Sequence, residues 1–214
     1  MTKLVLASTS PARLALLRAG GIEPVTIAPG VDEDAAVEAA TAAGLISNTA
    51  EMVQFLAKAK AEAVVDRIEA QDALIIGCDS SLEFDGEALG KPHEPEVAIE
   101  RWRQMRGRAG TLFSGHWVID NREPQPGQLP PAAGRTSSTI VHFADITDTE
   151  INAYVATGEP LKVAGAFTID GIGGAFIRSI EGDSHTVVGL SLSTLRDLSI
   201  QLGVDYSSLW RVSQ

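Results

Sequence analysis

Apolar positions along this chain fall in short blocks that alternate between strand-like runs and helix-like spacing, with glycine and proline at the breaks. Leu4–Ala7 is continuously apolar, as in a strand buried on both faces. A hydroxyl-rich turn, Ser8–Ser10, leads into a helix with Ser10 as N-cap, Pro11 at the first helical position and Gly20-Gly21 as the stop. Ile22–Ile27 reads as a second strand, Val31–Asp34 as a loop, and the alanine-rich stretch to Gly44 as a short helix or mobile loop. Asn48 and Glu51 have capping-box spacing. The helix that follows is expected to reach about Ile68, with Met52, Phe55, Leu56, Ala59 and Ala63 as its apolar stripe.

Ala73–Cys78 is again continuously apolar and predicts a buried strand ending in Asp79-Ser80. Leu82–Phe84 and Glu87–Leu89 flank Asp85-Gly86 as a hairpin. Pro95 opens a helix that Gly107 ends, with Val97, Ile99, Trp102 and Met105 as candidate contacts. Thr111–Ile119 and Arg135–Phe143 are strands, and residues 121–134, rich in Pro, Gly and Gln, predict a flexible surface loop between them. Thr147 and Glu150 form a second capping box, for a helix ending near Gly158. The glycine-rich segment 164–174, a strand at Ala175–Ile180 and a helix at Ser191–Leu202 complete the pattern. Alternating strands and helices over 214 residues predict an α/β fold.

Composition narrows the function classes. The net charge of −11 opposes long polyanions, so a nucleic-acid binder is not expected, whereas a small phosphorylated substrate needs only a local cluster of cations. The single cysteine, Cys78, rules out an internal disulfide and fits a reducing compartment. The apolar start turns polar too soon for a signal peptide, and no run has the length of a membrane span, so a cytoplasmic location is expected.

Candidate chemistry concentrates in two places. The first turn offers three hydroxyls and Arg13 beside the N-terminus of a helix, where free N–H groups and the macrodipole favour anions. A carboxylate at the end of a buried strand, Asp79, is costly unless paired, hydrogen-bonded or bound to metal. Lys91, at the exit of the hairpin, could reach a phosphate beside it. The acids at 32–34 read either as a divalent-metal site or as a favourable helix entrance. The four histidines have no metal-ligand spacing.

Several blocks in order resemble the Maf family of nucleotide pyrophosphatases. They are LVLASTSPARLALL, VDED, LAKAKA, IIGCDSS with GEALGKP, SGHWVI, and GEPLKVAGAFTIDGIGGAFIRSIEGD followed by VVGLSL. The resemblance implies a mixed twisted sheet with flanking helices and two lobes around a cleft, of the inosine-triphosphate-pyrophosphatase kind. It implies hydrolysis of nucleoside triphosphates to monophosphate and pyrophosphate with Mg²⁺ or Mn²⁺, a house-cleaning role, and a homodimer. The alternative is a nucleotide-binding regulator of cell division with little turnover. The family's catalytic aspartate falls on Asp79, and its substrate-binding positions fall on Ser8, Arg13, Glu33, Lys60 and Lys91, with Asp79 and Glu33 as metal ligands. Positions linked to base choice fall on Ala12, Ser80 and Asp170, which depart from the better-known branches and predict a broader or different nucleotide preference. Ser191 stands where the family pattern VVGLPL has proline.

Overall fold

The computed structural model describes residues 1–124 and 127–211. In chain order the elements are β1 (Lys3–Ala7), α1 (Pro11–Ala19), β2 (Val25–Thr26), α2 (Glu33–Ala42), α3 (Thr49–Glu62), β3 (Ala73–Phe84) and β4 (Glu87–Leu89). They continue with α4 (Pro95–Met105), β5 (Ala109–Asn121), β6 (Ala132–Phe143), α5 (Asp148–Ala156), β7 (Ile177–Glu181), α6 (Ser184–Val188) and α7 (Leu192–Gln201). The strands form one mixed sheet in the order β2-β1-β3-β5-β6-β7, with β4 on β3. β1 runs parallel to β2 and β3, while the β3–β4 and β6–β7 pairs are antiparallel. The α/β class read from the alternating blocks is therefore the observed one.

The chain divides into two compact units. The first comprises Met1–Asp79, Ser114–Ser137 and the chain from Gly189 onward. Its core has two parts. On one side of the sheet Leu4, Leu6, Leu74 and Ile76 meet Leu17 of α1 and Leu195 and Leu198 of α7; on the other Val5, Ala7 and Ile75 meet Ala61 and Val64. The side-chain alternation of β1 and β3 supplies both faces, which explains why Leu4–Ala7 and Ala73–Cys78 are continuously apolar. Leu209 packs into the core, and the Arg211 N–H bonds the Gly21 carbonyl.

The second unit comprises Ser80–Phe113 and Ser138–Val188. Its core is aromatic: Trp102 lies edge-on to Phe143, Tyr154 and Phe176, with centroids 5.6–5.8 Å apart. The buried Trp102 indole donates to the Ala166 carbonyl at 2.8 Å. The β3–β4 hairpin turns through Asp85 and Gly86, both with positive φ, as its Asp-Gly sequence predicts.

Several boundaries differ from the sequence expectation. β2 holds only Val25–Thr26. The alanine-rich stretch is a regular helix, α2, capped by Asp32, whose carboxylate accepts the Ala35 N–H at 3.1 Å. Strands enter the expected 121–134 loop from both ends, leaving 122–131 as the connection, and residues 125–126 lie outside the described residues. α3 stops at Glu62, and its buried face includes Val53, Leu56, Ala57, Lys60 and Ala61, so of the expected stripe only Leu56 is fully inside. On α4 it is Ala98, not Val97, that joins Trp102 and Met105 inside.

The rotation of α3 has a visible cause. A Cβ at Gly77 of β3 would stand 2.1 Å from the Ala57 carbonyl oxygen, and one at Gly115 of β5 would stand 2.2 Å from that of Val53. The helix backbone rests directly on these two glycines, a seat that any larger residue would fill.

Candidate functional site

β3 does not end at Asp79. It continues to Phe84, while the neighbouring β1 stops at Ala7, whose partner is Gly77. Asp79 thus sits mid-strand, two residues beyond the last β1 pair, at the place where the shorter strand gives out. The strand-tip expectation transfers from β3 to β1. The same strand end delivers Ser8 and the N-terminus of α1.

Seating α3 on Gly77 brings Lys60 inward. Its ammonium donates to Asp79 Oδ1 at 2.6 Å and lies 2.9 Å from Glu33 Oε1, at the first turn of α2. Lys60 is therefore a buried residue, unlike most lysines on a helix, with its side chain 8% exposed. Asp32 caps its helix, as the helix-entrance reading expects, while Glu33 pairs with the lysine.

Arg13 is also buried, and its guanidinium is bonded to the frame. Nε donates to the Gly189 carbonyl at 2.8 Å, and Nη1 donates to the Cys78 carbonyl at 2.9 Å and to Ser8 Oγ at 3.3 Å. Ser8 Oγ in turn accepts the Ser10 N–H at 3.1 Å, and Ser10 Oγ caps α1 by accepting the Arg13 N–H at 3.4 Å. The hydroxyl turn, the guanidinium and the carbonyl next to Asp79 form one connected network.

Burial pushes the Asp79 carboxyl above its ordinary range. Lys60 and Arg13 pull it back, and Glu33 adds a smaller upward push. A buried carboxylate whose carboxyl is pushed above the ordinary range, beside a lysine and in the field of an arginine, has the character of a proton acceptor. Burial pushes the neighbouring Cys78 thiol up to about 12, so it stays protonated and inert while its carbonyl holds Arg13.

The structure brings Ser8, Arg13, Glu33, Lys60 and Asp79 into the first unit: Arg13 bonds Ser8 and the Cys78 carbonyl next to Asp79, and Lys60 holds both Asp79 and Glu33. Ala12 is half-buried in the first turn of α1. Ser80, Lys91 and Asp170 belong to the second unit, where Lys91 follows β4 and is exposed, as is Asp170. Among the described residues no three His, Cys, Asp or Glu side chains group as a metal site. No helix of the described residues is long and apolar enough to cross a membrane.

Two participants escaped the sequence reading. Gly189 supplies the carbonyl that holds Arg13, and His116 accepts the Ser191 N–H two residues further on. The available signal was a histidine inside the apolar run of β5.

The family model described as Maf-like protein matches residues 3–202. A protein of Leifsonia xyli subsp. xyli named nucleoside triphosphate pyrophosphatase is 59% identical over 211 residues, covering 97% of this chain and 96% of its own. One of the same name from Streptomyces avermitilis is 51% identical over 208 residues, covering 97% and 94%. Among solved structures, a nucleoside-triphosphatase (dITP/XTP pyrophosphatase) of Mycobacterium abscessus aligns over 94% of each chain, at 12% identity and a TM-score of 0.41. That last likeness is too distant to add to the argument. The blocks read from the sequence, the matched span and the close relatives agree, and the chain belongs to the Maf family.

Proposed function

We propose that this protein hydrolyses the α–β phosphoanhydride of nucleoside triphosphates, releasing the monophosphate and pyrophosphate. The activity named for the relatives supports this reading. The observation that carries it is a buried carboxylate, Asp79, held by Lys60 and within the field of Arg13. A site built only to bind an anion gains nothing from a carboxylate among its cations; a site that must deprotonate water does.

In this reading Asp79 takes a proton from the attacking water. The water oxygen bonds to the α-phosphorus as the bond from that phosphorus to the bridging oxygen breaks, and pyrophosphate leaves with the electron pair. Arg13, Lys60 and the Ser8 turn balance the charge that moves to the leaving group. Glu33 shares Lys60 with Asp79, so two carboxylates already converge on one cation. That donor set suits Mg²⁺ or Mn²⁺ only if phosphate oxygens complete the shell, as such ions commonly require. When bound there, the ion would neutralise phosphate charge. Roles for Lys91 in phosphate binding, and for Ala12, Ser80 and Asp170 in base choice, rest on the family pattern alone.

The test is pyrophosphate release from a panel of triphosphates with Mg²⁺ or Mn²⁺. Asp79→Asn should keep the fold and lower kcat by about 10³-fold, within the range for losing a general base. Near-normal turnover by that variant rejects the assignment. Nucleotide binding by the unaltered protein without pyrophosphate release would favour the regulator instead.

A further inference from the structure

We infer that His116 is a positioning residue for the Arg13 guanidinium, acting through the short strap 189–191. This rests on the phosphate-binding role given to Arg13 above. His116 is fully buried in β5. Its Nε2 accepts the Ser191 N–H at 2.8 Å, and its Nδ1 lies 3.3 Å from the Arg135 carbonyl. A ring that accepts at Nε2 carries its proton at Nδ1, so Nδ1 donates to that carbonyl. The imidazole is thereby spanned between β6 and the strap.

The strap has little freedom to lose. Leu190 is fully buried in the core, and Ser191 caps α7 by accepting the Thr194 N–H at 3.1 Å. Gly189 has a φ of 110°, a backbone state that other residues rarely adopt. Two residues before the His116 contact, the Gly189 carbonyl receives Arg13 Nε at 2.8 Å. Arg13 is fixed by two carbonyls and a hydroxyl, and the Gly189 carbonyl is the one whose position depends on the strap. A donor N–H at 191 that is buried needs an acceptor, and His116 is that acceptor. Proline, which the family pattern carries at 191, would bring no such N–H. The φ of −77° at Ser191 would accommodate it. The histidine and the serine therefore form a matched pair in this chain.

The experiment measures KM and kcat for a triphosphate, and in parallel the affinity for inorganic tripolyphosphate. His116→Phe keeps the ring volume and removes the acceptor. It should raise KM and weaken tripolyphosphate binding about tenfold, the size of one lost hydrogen bond, with a smaller change in kcat. His116→Gln, which restores an acceptor, should recover most of the loss. In an Arg13→Met background, His116→Phe should add less than about twofold, because coupled residues are not additive. In a Ser191→Pro background, with the donor gone, it should again add little.

Equal losses from the Phe and Gln variants, or a full tenfold loss persisting without Arg13, would reduce His116 to a packing residue and overturn the inference. If His116→Phe does not fold, the Gln variant and the Ser191→Pro pair decide the matter. Wild-type protein that binds tripolyphosphate with this coupling yet releases no pyrophosphate would sink the hydrolase reading and leave the positioning role standing.

Discussion

Each unit of the molecule holds a carboxylate among polar partners, and the two are treated in opposite ways. In the first, Asp79 faces a lysine and the field of an arginine, and its carboxyl is pushed up by burial. In the second, Glu159 accepts hydrogen bonds from Tyr154 Oη at 2.9 Å, Thr168 Oγ1 at 2.5 Å, and the Ile172 and Gly173 N–H groups at 3.0 and 2.9 Å. Burial pushes Glu159 up as well, but Thr168 and the two backbone donors outweigh it, and its carboxyl sits below the ordinary value. Fixed neutral donors lock a carboxylate in its charged form and make it a structural pin. A single ammonium that Asp79 shares with Glu33 fixes its carboxylate through one oxygen only, so it can exchange partners and protons, as catalysis needs.

Lys60→Met should break that comparison most severely. It removes the cation nearest Asp79, so turnover should fall by about 10³-fold through lost charge stabilisation. The pH profile should change too. Without the ammonium the charged carboxylate is less favoured, so the acid limb of kcat/KM should move to higher pH. An acid limb that stays in place would mean that Asp79 is not the group titrating there.

Next in size is Glu159→Ala. It strips four donors of their acceptor, two of them backbone amides in the 168–174 segment. It should lower stability by about 3 kcal/mol, read as a urea midpoint shift, from hydrogen bonds to a charged group that leave partners unpaired. The pH signs of the two carboxylates are opposite. The depressed folded-state value of Glu159 contributes stability above its unfolded pKa, and that contribution disappears as pH falls through the folded value. The raised value of Asp79 costs stability as pH rises above its unfolded pKa through the folded one. The gap between wild type and Glu159→Gln should thus be full at neutral pH and shrink in acid. A gap independent of pH would show that the pin works without its charge.

Asp79 was legible because an apolar run that ends in a carboxylate is expensive and demands an explanation. Arg13 and Ser8 were legible from a strand–turn–helix junction with hydroxyls. The burial of Lys60 was not. Helical spacing on α3 places the stripe one way, and the glycine seats at 77 and 115, distant in sequence, turn it another. Glu159 was missed for a related reason. Its four donors arrive from Tyr154 and from 168–173, and no local pattern announces that they converge. The glycine-rich block gives half the clue: a Cβ at Gly173 would stand 2.4 Å from the Tyr154 hydroxyl, and one at Gly171 would stand 2.7 Å from Glu159 Oε2.

The smallest contrast lies in the helix caps, where identical spacing yields different wiring. At α5 both halves of the box close: Thr147 Oγ1 accepts the Glu150 N–H at 3.3 Å, and Glu150 Oε2 accepts the Thr147 N–H at 2.7 Å. At α3 the Asn48 side chain accepts the Glu51 N–H at 2.9 Å, but Glu51 reaches past it to the N–H and hydroxyl of Ser47, at 2.8 and 2.7 Å. The shorter Thr147 side chain caps by itself and also donates to Glu150, so one residue carries both links. In α3 the duties are split between Ser47 and Asn48. Thr147→Ala should therefore lower stability by about 1 kcal/mol, the usual loss for a cap. Ser47→Ala should cost less, because the Asn48 cap and the Ser47 N–H bond both survive it. Thermal melts of the two variants give the order directly, and a larger drop for Ser47→Ala would mean that the outer link, not the cap, holds the start of α3.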